Sequence, residues 1–261
     1  MKKITSAGFL LALFFAALPV RAAENDYQSL PVKAVLFPIR EATLSTMIDG
    51  MIARCHFRAG ERFKKGDVLF SIDDRRYRNE LNRAESLIRE AALGVRFAQQ
   101  KKDDNERLFK SDLQSELEVQ KARFDYDVAV EREQSAKVSR DYTALLLQFC
   151  VVRAPFDGTV EKLLTREFEM VRSGQPVLSI LDDNQLLAVM NLPSVSLAKV
   201  RIGLPVTVKI TENGKTVKGE IYEIASRADH RSETFEIKVR IDNSAHLFKA
   251  GMSGVLVKVG E

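Results

Sequence analysis

Apolar and polar residues follow two different periods along this chain. Near residues 49–72 and 157–180, and again after about residue 185, they alternate over short stretches separated by glycines and by Asp-Gly or Asn-Gly pairs. A period of two is typical of β-strands with one buried face. Between residues 75 and 148 there is no proline and one glycine, Gly94, and apolar residues recur every three or four positions. The pattern predicts an elongated, multidomain α+β chain in which a long helical segment interrupts β structure.

The first two β segments are copies of each other at a constant separation of 108 residues. The matching positions are Asp49/Asp157, Gly50/Gly158, Gly66/Gly174, Ser71/Ser179, Ile72/Ile180 and Asp74/Asp182. A copy of about 30 residues cannot bury a core alone. We therefore expect residues 42–74 and 150–183 to close against each other as one flattened β-sandwich barrel. The predicted structural turns are Gly50, Gly66, Pro155, Gly158 and Gly174, with a positive φ at Gly50 and Gly158.

The helical segment carries heptads that predict an antiparallel coiled-coil hairpin over residues 75–149. The core positions of the first arm are Leu81, Ala84, Ile88, Ala91, Val95, Ala98, Lys102 and Asn105, and those of the second are Val119, Ala122, Tyr126, Ala129, Ala136, Thr143 and Leu147. Residues 110–114 contain Ser and Asp, which favour turns and helix caps. Arms of about 30 residues would project about 45 Å at 1.5 Å per residue.

Strand patterning returns after Asp183 and predicts a second β domain, a β-barrel formed by residues 28–41 plus 184–261. Asn213-Gly214 is a hairpin signal, and Gly251 is a further structural turn. A short helix is expected from Ser194 to Val200, with Ser194 as its cap.

The first 22 residues have the pattern of a cleaved signal peptide. Lys2 and Lys3 precede an apolar run from Phe9 to Leu18, and Val20-Arg21-Ala22 offers small residues at a cleavage site. The alternative is an uncleaved anchor, but the run is shorter than the roughly 18 residues that a membrane span needs. No cysteine follows the run, so no lipid anchor is expected. Cleavage would leave 37 of the 40 Lys and Arg residues against 36 acidic ones, without the basic cluster of a nucleic-acid-binding protein.

Few side chains suggest site chemistry. His56, His230 and His246 are scattered, and we find no Ser-His-Asp set or phosphate loop. The acid pairs at Asp73-Asp74 and Asp182-Asp183 are interpreted as strand-end or helix-start residues. Cys55 and Cys150 either form a disulfide or are small buried side chains, and Met47 and Met51 either pack at a strand edge or bind a soft metal such as Cu(I). The sequence therefore predicts no enzyme, cofactor or metal site.

The repeated stretches resemble the halves of biotinyl/lipoyl domains, but the helical hairpin replaces the turn that would carry a modified lysine. Lys64 and Lys65 lie in the other hairpin. With the hairpin and the second β domain, "IDGMIARCHFRAGERFKKGDVLFSID", "VRAPFDGTVEKL", "VRSGQPVLSI" and "LFKAGMSGVLV" resemble membrane fusion proteins of the HlyD-like superfamily, most closely the RND-type efflux adaptors. The resemblance covers residues 30–258 and implies a split lipoyl-like domain, a coiled-coil hairpin and a β-barrel.

The resemblance also implies a function. Such a chain would be a non-enzymatic periplasmic adaptor, associated with the inner membrane through its transporter. It would self-associate, as a hexamer, between an inner-membrane RND-type permease, met by the β-barrel, and an outer-membrane channel trimer. The alternatives are an adaptor of an ABC-type exporter and a periplasmic metal-binding chaperone that uses Met47, Met51 and Cys55. The sequence does not name the exported substrate.

In the adaptors that this chain resembles, the hairpin tip docks on the channel through an Arg, a Leu four residues later and a Ser seven further. Placing that Ser on Ser115 puts the Leu on Leu108 but puts Asp104 where the Arg is expected. Docking therefore departs from the usual pattern or uses Arg107 from a shifted register. The expected docking residues are Arg107, Leu108, Leu113 and Ser115.

Overall fold

The computed structural model of the chain describes residues 31–260. The predicted signal peptide, residues 1–22, lies outside the described residues, as do residues 28–30 and Glu261 of the predicted second β domain. The described elements are β1 (Lys33–Ser45), β2 (Gly50–Cys55), β3 (Arg62–Phe63), β4 (Val68–Ile72), α1 (Arg75–Lys110), α2 (Glu116–Gln148), β5 (Val151–Arg153), β6 (Gly158–Leu163), β7 (Met170–Val171), β8 (Pro176–Pro193), a 3₁₀ helix (Ser194–Lys199), β9 (Pro205–Ile210), β10 (Thr216–Ile224), β11 (Thr234–Asp242) and β12 (Ser253–Val259).

The two sequence copies fold together as one unit, which we call the sandwich domain. Each short strand of the first copy pairs with a strand of the second, because β2 pairs with β7, β3 with β6 and β4 with β5. One core receives side chains from both copies. Its fully buried members are Ile52, Leu69, Phe70, Cys150, Val160, Val177, Leu178 and Ile180. Neither copy could bury these side chains alone, as the repeat indicated.

Two long antiparallel strands join the sandwich domain to the second β domain. β1 and β8 pair from Ala34↔Met190 to Ser45↔Pro176, with a register shift between Pro38 and Arg40. β1, which begins within residues 28–41 of the predicted second β domain, therefore continues past that range to Ser45. The domain boundaries expected at residues 41/42 and 183/184 lie inside continuous strands, so the division is between two cores and not between two chain segments.

In the second β domain six strands surround one interior. Hydrogen-bonded neighbours run β1–β12–β9–β10–β11–β8, and β1 pairs with β8 in turn. The interior is lined by aliphatic side chains, among them Leu36, Ala188, Val208, Ile210, Ile237, Val239 and Ile241. Gly214, in the predicted turn between β9 and β10, has φ +66°. The predicted cap at Ser194 is wrong: Pro193 occupies the cap position, and Ser194 begins the helix, its N–H donating to the Glu233 carbonyl at 3.0 Å.

The helical segment is an antiparallel hairpin of two arms, 36 and 33 residues long. Every core position expected in the first arm is buried or half-buried, with Ala84 and Ala98 the most enclosed. In the second arm Val119 and Ala122 are buried. Small side chains at these positions let the helices approach closely. Within residues 31–260, no helix has the length and apolarity needed to cross a membrane.

The base of the hairpin is fixed to the sandwich domain by side-chain and backbone hydrogen bonds. The Tyr77 hydroxyl donates to the Asp49 carbonyl at 2.8 Å, and the Ile72 N–H donates to the Cys150 carbonyl at 2.8 Å. Asp73 accepts from the side chain and backbone N–H of Arg75, and these hydrogen bonds lower the pKa of its carboxyl to about 2. The base of the hairpin is therefore joined to the sandwich domain through Tyr77 and Ile72.

Candidate functional site

The hairpin tip brings four exposed apolar side chains together. α1 ends at Lys110 and α2 begins at Glu116. Between them the chain turns through Asp112, which has a left-handed φ of +57°. The Leu113 N–H then donates to the Leu108 carbonyl at 2.9 Å, which closes the turn. We define the tip patch as Leu108 (43% exposed), Phe109 (43%), Leu113 (72%) and Leu117 (73%).

Ser115, at the same turn, has a structural function in addition to its expected contact with a channel. It has an extended backbone, φ −82° and ψ 152°, and its hydroxyl accepts from the Glu118 N–H at 3.4 Å. This is N-cap geometry. Glu116 and Glu118 in the first turn also suit the positive end of the helix dipole. Ser115 thus fixes where α2 begins.

The resemblance predicts an Arg at position 104, where this chain has Asp104. Arg107 lies one helical turn later. Its guanidinium is paired with the Asp104 carboxylate, and the Arg107 side chain remains 77% exposed. A long side chain on a helix covers the surface near the preceding turn. The positive charge of Arg107 therefore lies beside the negative charge of Asp104.

The sequence did not single out Phe109 and Leu117, or the contacts that hold the tip rigid. Asn105 accepts from the side-chain amide of Gln114 at 2.7 Å. One turn away, Arg123 donates to Glu106 at 2.8 Å, and this hydrogen bond lowers the pKa of the Glu106 carboxyl. Leu117 could have been identified from the sequence, because it is an apolar residue outside the heptad core positions.

The two glycines that start equivalent strands are required for a different reason from the predicted one. Gly50 and Gly158 begin β2 and β6, and neither is among the glycines with positive φ. A Cβ on Gly158 would lie 2.3 Å from the Leu181 carbonyl oxygen, and one on Gly50 would lie 2.5 Å from Cγ2 of Ile72. The expectation of a positive φ is therefore wrong at both positions, where close packing excludes a side chain.

The other predicted turns lie at exposed bends. Gly66, Gly174 and Gly251 have φ values of +91°, +83° and +88°, a region that favours glycine. Pro155 lies in the bend between β5 and β6. The Gly66 N–H donates to the Ala154 carbonyl at 2.9 Å, and this hydrogen bond joins the bend at Gly66 to the bend at Pro155.

The side chains weighed as metal or redox groups are dispersed. Cys55 is half-buried, Cys150 is fully buried, and both are free thiols. Burial and the nearby Asp74 raise the pKa of Cys150 to about 11, and burial together with Glu167 raises that of Cys55. Met47 is 65% exposed. Among residues 31–260, His, Cys, Asp and Glu side chains form no group of three or more that could hold a metal ion.

The junction between the two β domains is crossed by ion pairs on both sides of the long strands. Arg40 contacts Asp182 at 2.6 Å and lies over the Phe156 ring at 4.9 Å. Arg62 of β3 reaches Asp183 at 3.1 Å and Nδ1 of His246, in the β11–β12 connection, at 2.8 Å. The expectation that Asp182-Asp183 ends a strand is therefore wrong. Asp73-Asp74 does start a helix, as interpreted.

Comparison with known proteins supports the architecture. The family model for the RND membrane fusion protein (MFP) barrel-sandwich hybrid domain matches residues 40–183, and that for the CusB-like beta-barrel domain matches residues 188–259. Among solved structures, MacA from Actinobacillus actinomycetemcomitans is 18% identical with a TM-score of 0.74, over 89% of this chain and 79% of that one.

Two further solved structures share the fold. The membrane fusion protein Spr0693 from Streptococcus pneumoniae R6 is 15% identical with a TM-score of 0.72, over 89% of this chain and 99% of that one. ZneB from Cupriavidus metallidurans is 20% identical with a TM-score of 0.58, over 89% of this chain and 70% of that one. The first family match alone covers more than half of the residues, and the chain therefore belongs to the RND membrane fusion proteins, a family of efflux adaptors.

Proposed function

We propose that this chain is the periplasmic adaptor of a tripartite efflux pump, in which it joins an inner-membrane RND-type permease to an outer-membrane channel trimer. The observation that carries the proposal is the tip patch. Four exposed apolar side chains, with Arg107 beside them, lie at the free end of a two-helix hairpin. Exposed apolar clusters of this kind mark protein contacts.

The hairpin would act as a coiled-coil strut. The longer arm, α1, has 36 residues, so it extends the tip by about 54 Å at 1.5 Å per residue. Leu108 and Leu113 would pack between helices of the channel, with Arg107 reaching a channel carboxylate from its shifted register. Ser115 would support this contact by fixing the start of α2.

The two β domains would build the rest of the assembly. Sandwich domains, residues 42–74 with 150–183, would pack side by side in a hexamer and enclose a conduit. The second β domain, residues 28–41 with 184–261, would be a β-barrel in contact with the permease. Residues 1–22 would be removed as a signal peptide on export, without a lipid anchor. Cargo would pass through the ring, and the adaptor would perform no catalysis and require no cofactor.

The test is crosslinking in cells that carry a tagged chain, followed by purification and identification of the attached membrane proteins. Leu108→Asp places a charge in the tip patch and should remove the channel while the permease is retained. Gln100→Asp adds the same charge at an exposed position of α1, ten residues before the end of the helix, and should keep both partners. Equal recovery of the channel with both variants would show that the tip does not dock.

The same experiment distinguishes the inner-membrane partner. Recovery of an exporter with a phosphate-binding loop, in place of an RND-type permease, would make the chain an adaptor of an ABC-type exporter. Recovery of neither class of transporter would contradict the proposed function as a whole.

A further inference from the structure

The second β domain has one end that faces away from the hairpin. β1 runs from this end, at Lys33, to Ser45 near the hairpin base. Its 13 residues span about 43 Å at 3.3 Å per residue. We call this end the distal rim and define it as residues 31–33, 194–204 and 225–233. It contains the β8–β9 and β10–β11 connections.

Two aliphatic side chains project from the distal rim without a partner surface. Val195, in the 3₁₀ helix, is 85% exposed, and Ile202, in the following loop, is 68% exposed. Backbone hydrogen bonds to neighbouring strands and loops hold residues 194–203 in place. The Ser194 N–H donates to the Glu233 carbonyl at 3.0 Å, and the Gly203 N–H donates to the Ile221 carbonyl at 2.8 Å. The exposure of Val195 and Ile202 therefore follows from an ordered backbone.

Basic residues surround these two side chains. Lys199 and Arg201 lie between them in sequence, and Arg227 and Arg231 lie on the β10–β11 connection. None of the four forms an ion pair with any residue from 31 to 260. The connection also carries Asp229 and Glu233. The Asp229 carboxylate accepts the N–H groups of Arg231 and Ser232 at 2.9 and 3.0 Å, so it is engaged in holding its own turn.

We propose that the distal rim binds the anionic phospholipid surface of the inner membrane directly. Val195 and Ile202 enter the boundary between headgroups and acyl chains, and the four basic side chains contact lipid phosphates. Aliphatic residues interleaved with Lys and Arg are typical of segments that lie on an anionic membrane. This inference adds a lipid contact to the proposed function, on which it depends only for the identity of the membrane.

The fold is compatible with this orientation. The distal rim and the hairpin tip lie at opposite ends of the described residues, since β1 runs from Lys33, in the rim, to Ser45 near the hairpin base. A rim that lies on the inner membrane therefore directs the hairpin tip away from it.

The composition of the distal rim favours lipid over a protein partner. Protein interfaces are centred on buried aromatic or Arg anchors that fill pockets. At the distal rim the two exposed side chains, Val195 and Ile202, are aliphatic, and Lys199 and Arg201 separate them in sequence. Binding to a fluid headgroup layer needs no complementary pocket, only apolar area and positive charge.

A tryptophan placed on the rim tests the inference, because the chain contains none of its own. The exported chain carrying Val195→Trp is mixed with vesicles of phosphatidylcholine and phosphatidylglycerol. Its emission should shift to shorter wavelength and be quenched by lipids with brominated acyl chains, and salt should reverse both effects. Leu113→Trp, at the exposed hairpin tip, is the matched control and should show neither effect.

The charge requirement is tested separately. Lys199→Gln with Arg201→Gln should weaken vesicle binding about 30-fold, since each basic residue near an anionic surface contributes roughly 1 kcal/mol. Lys209→Gln with Lys215→Gln removes the same charge at exposed positions near the other end of the domain, and it should leave binding unchanged.

An unshifted Val195→Trp spectrum or an equal shift at Leu113→Trp would overturn the inference. An unshifted spectrum would leave the rim free for a protein contact. The vesicles contain neither permease nor channel, so none of these results decides whether the chain is an adaptor. That question belongs to the crosslinking experiment.

Discussion

At Gly158 the missing side chain brings two strands of the sandwich domain into contact. β6 and β8 approach so closely that a Cβ would lie 2.3 Å from the Leu181 carbonyl oxygen. The obstacle is backbone, so it cannot move aside by a rotamer change. Gly94 offers the opposite case, since it lies inside α1 with nothing within 4 Å of an added Cβ.

Alanine at these two glycines should therefore have opposite effects. Gly158→Ala should lower the free energy of unfolding by about 1–3 kcal/mol, the usual cost of overpacking. Gly94→Ala should raise it by about 0.5–1 kcal/mol, because glycine is unfavourable in a helix interior. Urea denaturation measures both. A Gly158→Ala variant as stable as the parent would contradict the close strand packing.

The raised pKa values of the two thiols predict slow alkylation of both cysteines. Since thiolate is the reactive form, and burial raises the pKa of Cys150 to about 11, Cys150 should resist alkylation at pH 8 in the folded protein. Cys55 should react slowly. Glu167→Gln should accelerate the alkylation of Cys55, because loss of the neighbouring negative charge lowers the pKa of this thiol. Glu131→Gln, on the hairpin, is the control. Mass spectrometry after timed alkylation reads both sites, and faster labelling of Cys150 than of Cys55 would contradict this account.

At the level of elements, the hairpin shows what the heptads could and could not predict. α2 carries a stripe of small residues and a second apolar series, Leu117, Phe124, Val138 and Leu145, spaced in multiples of seven. The alanine stripe faces α1, and all four larger residues are exposed. The seven-residue period alone does not show which of the two stripes faces α1. Small side chains face inward because they allow the closest helix approach.

The alanine layers should therefore tolerate little added volume. Ala122, 2% exposed, has no room for three more carbons, so Ala122→Leu should destabilise the protein by about 1–3 kcal/mol. Gln134→Leu adds a leucine at an exposed position of the same helix and should change stability little. Thermal unfolding monitored by circular dichroism compares them. Equal midpoints would mean that the arms do not pack through this stripe.

Other features of the elements could not be predicted from local sequence. The 108-residue repeat indicated that two distant segments share one core, because neither segment could bury its own apolar residues. Strand alternation does not show that β1 and β8 serve two cores each. A period of two continues unchanged where the strand passes from one core to the next, so the sequence does not show that Asp182-Asp183 lies inside β8.

At the scale of the whole molecule, side-chain contacts cross the junction between the two β domains. Arg62 reaches Asp183 at 3.1 Å and the His246 ring at 2.8 Å, which ties β3 to the β11–β12 connection. Partly exposed ion pairs contribute less than about 1 kcal/mol to stability. Arg62→Ala should therefore leave the unfolding midpoint nearly unchanged while the domain angle becomes more variable.

Small-angle scattering measures that variability as a broader distribution of interatomic distances. Arg54→Ala removes an exposed arginine of β2 that forms no ion pair with residues 31–260 and serves as the control. If Arg62→Ala scatters like the parent, the two continuous strands alone fix the domain angle, and the side-chain tie is unnecessary.

We propose that opposite ends of this molecule contact proteins of two different membranes. Photo-crosslinking in cells tests it most directly, with a photoreactive residue placed at Leu113 in the tip patch or at Val257 on the outer side of β12. We expect adducts of position 113 with an outer-membrane channel and of position 257 with an inner-membrane transporter or a neighbouring copy. Adducts from both positions with proteins of one membrane, or a hairpin tip that labels only its own chain, would contradict it.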